Sequence, residues 1–83
     1  MKYRVLIRPK AKKEIEEIHG RDKERIIEAL FALSLDPFQG KKLKGKYSGQ
    51  YSFKVWPYRI IYEVIKDELI VFVLKVGYRQ GVY

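Results

Sequence analysis

An uninterrupted apolar run from Leu69 to Leu74 is the feature that most limits how this chain can fold. The run is far too short to cross a bilayer, because a spanning helix needs about 20 apolar residues. Val76 extends the apolar pattern, and no polar face alternates with it, which is typical of a central strand covered on both sides. The sequence therefore predicts a buried central strand over 69–76.

Two further strand signals precede this run. Residues 51–55 alternate between apolar and polar side chains, and residues 58–64 are rich in aromatic and β-branched side chains. Turns are predicted at Trp56-Pro57 and at 66–68, although Trp-Pro is not a favoured two-residue hairpin turn. The three strands then follow one another as antiparallel neighbours.

A two-residue turn at Trp56-Pro57 would fix the register of the first hairpin, with Val55 opposite Tyr58 and Lys54 opposite Arg59. Alternate residues then share a face that is almost wholly apolar and should lie against helices. These residues are Tyr51, Phe53, Val55, Tyr58, Ile60 and Tyr62.

The first half of the chain predicts one strand and two helices. Residues 2–7 have the β-propensity of a strand, and Pro9 suits the first turn of a helix, where its missing N–H costs nothing. Apolar residues recur at helical spacing on either side of Gly20, which we expect to end the first helix. Asp22 is expected to cap the second helix, and Asp36-Pro37 to end it.

The predicted fold class is α+β, in the order β-α-α-β-β-β. We expect a small, mostly antiparallel sheet with a two-helix hairpin packed on one face, and the first strand beside the last. We expect residues 1–83 to form a single domain, since a chain of this length holds one core. The opposite face of the sheet is left available for a ligand.

Charge and composition limit the partners. The net charge is +8 and there is no cysteine, so disulfides and thiolate metal sites are excluded. The N-terminus lacks the long apolar segment of a signal peptide, which predicts a cytoplasmic protein with no membrane partner. Such a basic chain favours a polyanion, although a solvated Lys/Glu surface of the thermophile kind is the alternative.

The second predicted face of the hairpin carries Ser52, Lys54, Arg59 and Glu63. Two opposed cations are unfavourable unless an anion lies between them, and a phosphate is the obvious candidate. The alternative is that the Lys54 and Arg59 side chains extend apart into water. Glu63 would then form an ion pair with Arg59 or Lys54. Further candidates for binding RNA are the lysines of the KKLKGK segment and a tail tyrosine: Lys41, Lys42, Lys44, Lys46 and Tyr78.

Other catalytic patterns are missing from the sequence. His19 is the only histidine, which excludes a two-histidine ribonuclease, and a position near a helix end explains it structurally. There is no HExxH, P-loop or GxGxxG motif. We expect no metal site and no small-molecule cofactor.

The C-terminal half resembles toxins of the RelE/ParE superfamily. The shared features are a Lys-Leu-x-Gly run at 42–45, a Tyr-x-x-Lys-Val strand at 51–55, Tyr-Arg-Ile-Ile-Tyr at 58–62, and Val-Gly-x-Arg at 76–79 followed by Tyr83. The N-terminal strand and helix pair match the same fold less specifically. The resemblance implies the RelE-like branch, which enters the ribosomal A site and cuts mRNA there.

The resemblance also implies a site and a chemistry. Lys54, Arg59, Arg79 and Tyr83 would be the catalytic residues of a metal-free transesterification in which the 2′-hydroxyl attacks the adjacent phosphorus. Lys54 would be the base and Arg59 would hold the phosphorane. Arg79 would serve near the leaving oxygen as acid or stabiliser, and Tyr83 would stack on or orient a base. Ser52 stands where a second lysine is often found. Strict alternation along the last strand places Arg79 on the helix side.

The implied partners are the ribosome with its mRNA and a cognate RelB-like antitoxin protein that wraps the toxin with amphipathic helices. Two other functions stay open. One is a ParE-like, non-enzymatic inhibitor of DNA gyrase, which has no chemical need for the four catalytic candidates. The other is a catalytically weak member that only binds ribosome, RNA or antitoxin.

Overall fold

A computed structural model of the chain describes residues 2–78. Within them, a five-stranded sheet has the order β1-β5-β4-β3-β2. The strands are β1 (Arg4–Ile7), β2 (Lys41–Lys42), β3 (Gln50–Val55), β4 (Tyr58–Ile65) and β5 (Ile70–Tyr78). All neighbouring pairs are antiparallel except β1 and β5, which run parallel. The predicted α+β class and the mostly antiparallel sheet are thus confirmed.

The two helices are α1 (Pro9–Glu16) and α2 (Gly20–Leu35). Pro9 begins α1 as predicted, and Asp36 follows the last residue of α2. Two predicted boundaries are wrong. Gly20, with φ of +64°, opens α2 instead of ending α1, because glycine adopts this left-handed conformation without a Cβ clash.

Asp22 is not the cap of α2. His19 occupies the N-cap position and makes no side-chain capping hydrogen bond, while Asp22 lies inside the first turn. There its carboxylate is 3.4 Å from the Arg25 guanidinium. A negative charge in the first turn also complements the helix dipole, so the residue stabilises the same helix end by a different interaction.

The core lies between the helices and one face of the sheet. Tyr62 and Ile60 of the sheet are fully buried, as are Ala11 of α1 and Ile26 and Leu33 of α2. The apolar hairpin residues predicted to face the helices all belong to or pack against this cluster. Lateral support comes from a stacked pair of rings, Tyr51 on Tyr62, whose centroids are 5.4 Å apart.

The strand predicted over 69–76 is β5, which lies between β1 and β4 and is hydrogen-bonded on both edges. A bulge interrupts its pairing with β4: Tyr62 faces Val73, whereas the preceding Ile61 faces Lys75. Leu74 is therefore an extra residue, and it reverses the alternation along the rest of the strand. No helix within residues 2–78 is long and apolar enough to span a membrane.

Candidate functional site

The hairpin of β3 and β4 turns at Trp56-Pro57, whose peptide bond is cis. Its register is the predicted one, with Val55 opposite Tyr58 and Lys54 opposite Arg59. Because directly opposed residues point to the same side of a sheet, the two cations share the face that carries no helix. We call this the open face.

The short strand β2, which the sequence did not predict, brings another cation to the open face. Lys41 pairs directly with Ser52 on β3. Lys42 pairs with Tyr51 and therefore points to the opposite side of the sheet. Lys41, Lys54 and Arg59, together with Ser52, line one concavity of about 370 Å³, which also borders Gln39, Gly40 and Phe53.

Charge in this concavity is uncompensated among the described residues. Neither Lys54 nor Arg59 forms an ion pair there, and Glu63, a predicted alternative partner, lies opposite Gln50 and Phe72 further along the sheet. The buried Nε of Arg59 has no hydrogen-bond partner within residues 2–78. Burying a donor without a partner costs about 1–3 kcal/mol, so the site is built to receive an acceptor.

Tyr62 fixes the segment that leads into β2. Its hydroxyl donates to the carbonyl of Pro37 at 2.7 Å and accepts from the backbone N–H of Gly40 at 3.1 Å. Burial raises the pKa of Tyr62 to about 12, so the phenol remains a donor at neutral pH. A Cβ on Gly40 would collide with that hydroxyl, which explains the glycine immediately before Lys41.

The remaining RNA-binding candidates, Lys44, Lys46 and Tyr78, are not among the residues that line the concavity. Lys44 and Lys46 are exposed in and beside a 3₁₀ turn over Gly45–Tyr47, where the Lys46 ammonium lies 5.4 Å from the centre of the Tyr47 ring. Tyr78 is opposite Tyr58 on the helix side, and the two rings stack at 5.0 Å. Tyr78 is thus not beside the opposed cations.

Two predicted catalytic residues, Arg79 and Tyr83, lie outside the described residues. The expectation that Arg79 lies on the helix side rested on strict alternation along the last strand, and the bulge at Leu74 interrupts that alternation. Beyond the bulge, Lys75 and Gly77 pair with Ile61 and Arg59 and therefore lie on the open face.

Sequence reasoning missed three contributors: the pairing of Lys41 with Ser52, the Tyr62 hydrogen bonds and Lys75. Lys75 could have been noticed, since it is the one charge in an otherwise apolar strand. The position of Lys41 could not have been predicted, because a strand of two residues shows no periodicity in the sequence.

Comparisons with known proteins identify relatives over the whole chain. Residues 5–83 match the family model described as the ParE toxin of type II toxin–antitoxin systems, parDE. Toxin RelG of Mycobacterium tuberculosis is 27% identical over 85 residues, which cover 100% of this chain and 98% of RelG.

Solved structures extend the likeness to the fold. A chain of the toxin–antitoxin complex RelBE2 from M. tuberculosis superposes with a TM-score of 0.88 at 26% identity, covering 95% of this chain and 100% of that one. The archaeal RelE–RelB complex from Pyrococcus horikoshii OT3 gives 0.81 at 27% identity, with both chains fully covered.

Proposed function

This chain belongs to the ParE toxin family and is a toxin of a type II toxin–antitoxin system in the RelE/ParE superfamily, and we propose that it cleaves mRNA in the ribosomal A site. The proposed setting is the cytoplasm, where translating ribosomes are found. Residues 1–83 would act as one toxin domain.

The observation that carries the proposal is the pair of opposed cations on the open face. Lys54 and Arg59 face each other without a carboxylate partner among the described residues, and the Arg59 Nε is a buried donor with no acceptor there. Arginine binds phosphate oxygens through its planar set of donors, and a phosphate between the two chains would remove their repulsion. An RNA backbone fits this requirement.

The proposed reaction is an in-line transesterification. The 2′-oxygen attacks the adjacent phosphorus while its proton passes to Lys54, the proposed base, which must be neutral to accept it. The bond from phosphorus to the 5′-oxygen breaks, and the leaving oxygen takes up a proton from water or from Arg79. The products are a 2′,3′-cyclic phosphate and a 5′-hydroxyl, and Arg59 stabilises the charge of the phosphorane.

Arg79 near the leaving oxygen and Tyr83 against a base complete the proposed site. The ribosome supplies much of the alignment of the mRNA, so activity on free RNA should be weak. Lys41 and Ser52 would contact the RNA within the concavity, whereas Lys42, Lys44, Lys46 and Tyr78 do not line it and would bind RNA only outside it.

An antitoxin is the second proposed partner. The M. tuberculosis structure is the toxin–antitoxin complex RelBE2, and the P. horikoshii structure is a RelE–RelB complex. Here α2 exposes an apolar stripe of Ile27, Phe31 and Leu35, four residues apart and each more than half exposed. Such a stripe fits an amphipathic helix, and an acidic antitoxin segment would also neutralise the open face.

Primer extension on an mRNA in a translation extract tests the proposal. Wild-type protein should give discrete breaks that require ribosomes, and Arg59→Ala should reduce the cleavage rate by about 10²–10³-fold, as expected when a donor to the transition state is lost. Arg25→Ala is the matched control, because Arg25 pairs with Asp22 on α2 and should leave cleavage unchanged.

The matched family model favours a second candidate, inhibition of DNA gyrase without catalysis. A folded wild-type protein that gives no ribosome-dependent breaks but blocks gyrase supercoiling would replace the nuclease proposal. In that case cleavage products would be absent with the wild type and with every variant, so Arg59→Ala would remove no chemical step.

A further inference from the structure

Position 52 carries no charge, although the resemblance leads one to expect a lysine there. Ser52 is 8% exposed and lies in the middle of β3, two residues from Lys54 and therefore on the same open face. Its side chain is too short to cross the concavity. At this position, then, β3 itself leaves the candidate site one cation short.

The neighbouring strand supplies a cation at the same place. Lys41 of β2 is the direct cross-strand partner of Ser52. Opposed residues in an antiparallel pair have Cβ atoms about 4.5–5.5 Å apart, which is well within the reach of a lysine side chain. Lys41 is exposed at its own position and lines the concavity with Lys54 and Arg59.

Backbone contacts make this position specific to Lys41. The Tyr62 hydroxyl, which donates to the Pro37 carbonyl and accepts from the Gly40 N–H, holds the chain immediately before Lys41. Immediately after β2, the Leu43 N–H donates to the Gln50 carbonyl. Lys42 pairs with Tyr51 on the other side, and Lys44 lies beyond the paired segment. Of these three lysines, only Lys41 is paired on the open face.

We propose that Lys41 takes the place of the lysine missing at position 52 and contacts the phosphate that is cleaved. The inference rests on the proposed nuclease function and deepens it. Lys41 donates hydrogen bonds to the non-bridging oxygens, so its role is to stabilise charge and not to transfer a proton. Ser52 contributes space, because its small side chain lets the Lys41 chain lie across it.

Single-turnover cleavage on programmed ribosomes tests the proposal, with the plateau rate and the half-saturating toxin concentration measured separately. Lys41→Ala should lower the plateau rate by about 10²-fold, the scale for losing one donor to a transition state. Lys42→Ala should raise the half-saturating concentration with little change in that rate. Lys66→Ala, an exposed lysine in the turn before β5, is the matched control.

A rescue experiment tests whether the Lys41 charge acts beside Ser52. In the double variant Lys41→Ala/Ser52→Lys, the plateau rate should return to most of the wild-type value, because the ammonium is restored to the same spot from the other strand. Equal unfolding midpoints for all variants would show that the fold is intact.

Two results would overturn the inference while leaving the nuclease standing. One is a Lys41→Ala protein that cleaves at the wild-type rate while Arg59→Ala does not. The other is lost activity that Ser52→Lys does not restore, since Lys41 would then act elsewhere. A wild-type protein that cleaves nothing would instead refute the proposed function, and the inference with it.

Discussion

The two faces of the β3–β4 hairpin are built from alternate residues of the same strands, yet one face is apolar and packed while the other is charged. On the helix face, Phe53 lies opposite Ile60 and Tyr51 opposite Tyr62, and both pairs contribute to the core. On the open face, Lys54 lies opposite Arg59 without a compensating charge among the described residues. The helix face gains free energy from burial, whereas the open face carries a local electrostatic cost.

This difference indicates how a chain of this size can keep two cations opposite each other despite their repulsion. Each apolar pair on one side fixes the register, and the register then places the cations on the other side. Side chains one residue apart should therefore respond oppositely to substitution. Stability should depend on the helix face and activity on the open face.

The adjacent residues Ile60 and Arg59 give the sharpest contrast. Ile60 is fully buried, so Ile60→Ala should lower the free energy of unfolding by about 2–5 kcal/mol. Arg59→Ala should change it by less than about 1 kcal/mol, because the lost contacts are offset by relief of repulsion and of an unpaired buried donor. Urea unfolding monitored by circular dichroism measures both.

A large loss of stability in Arg59→Ala would contradict the distinction between the two faces, since the open face would then contribute to stability as the core does. Val76→Ala serves as a second variant on the helix face, because Val76 pairs with Ile60 and is 2% exposed. It should be destabilised in the same direction as Ile60→Ala.

The Tyr62 hydroxyl joins the two faces, since it lies in the core and holds the segment before Lys41. Tyr62→Phe leaves the Gly40 N–H and the Pro37 carbonyl without their partner, which should cost about 1–3 kcal/mol of unfolding free energy at neutral pH. Cleavage should also fall, because Lys41 is less well placed. Tyr3→Phe is the control for loss of a tyrosine hydroxyl, because the Tyr3 ring packs edge-on against Phe38 and this contact survives the substitution.

The same hydroxyl predicts a pH dependence. Burial raises the pKa of Tyr62 from 10.0 to about 12 in the folded protein, so its contribution to stability is complete below pH 10 and is lost as the pH rises towards 12. The difference in unfolding free energy between wild type and Tyr62→Phe should therefore shrink by about 1–3 kcal/mol across that window. A difference independent of pH would show that Tyr62 ionises normally.

Much of this fold is predictable because local pattern and tertiary structure agree in the hairpin. A two-residue turn at Trp56-Pro57 predicted the register and placed Lys54 opposite Arg59, and alternation over 51–55 and 58–62 predicted both faces. The apolar run predicted the central position of β5. These features depend on hydrophobic periodicity, which a sequence displays directly.

The features that escaped prediction depend on contacts between distant parts of the chain. The strand β2 exists because two lysines pair with Ser52 and Tyr51, and nothing in their own sequence favours a strand. The bulge at Leu74 changes the facing of every later residue in β5, although the residues around it look like regular strand. The boundary at Gly20 depended on a backbone conformation and not on periodicity.

The smallest effect concerns the electrostatic cost of the open face itself. Lys54→Gln keeps most of the aliphatic stem and removes one of the two opposed charges, so it should stabilise the protein by about 0.2–1 kcal/mol while it abolishes the proposed base. Salt should stabilise the wild type more than this variant, because ions screen the repulsion that the substitution removes. Lys66→Gln makes the same charge change at the turn over Lys66–Glu68, far from the opposed pair, and should not stabilise. If Lys54→Gln is less stable than wild type at low salt, the two cations do not repel each other in the folded protein, and the open face carries no cost for a phosphate to relieve.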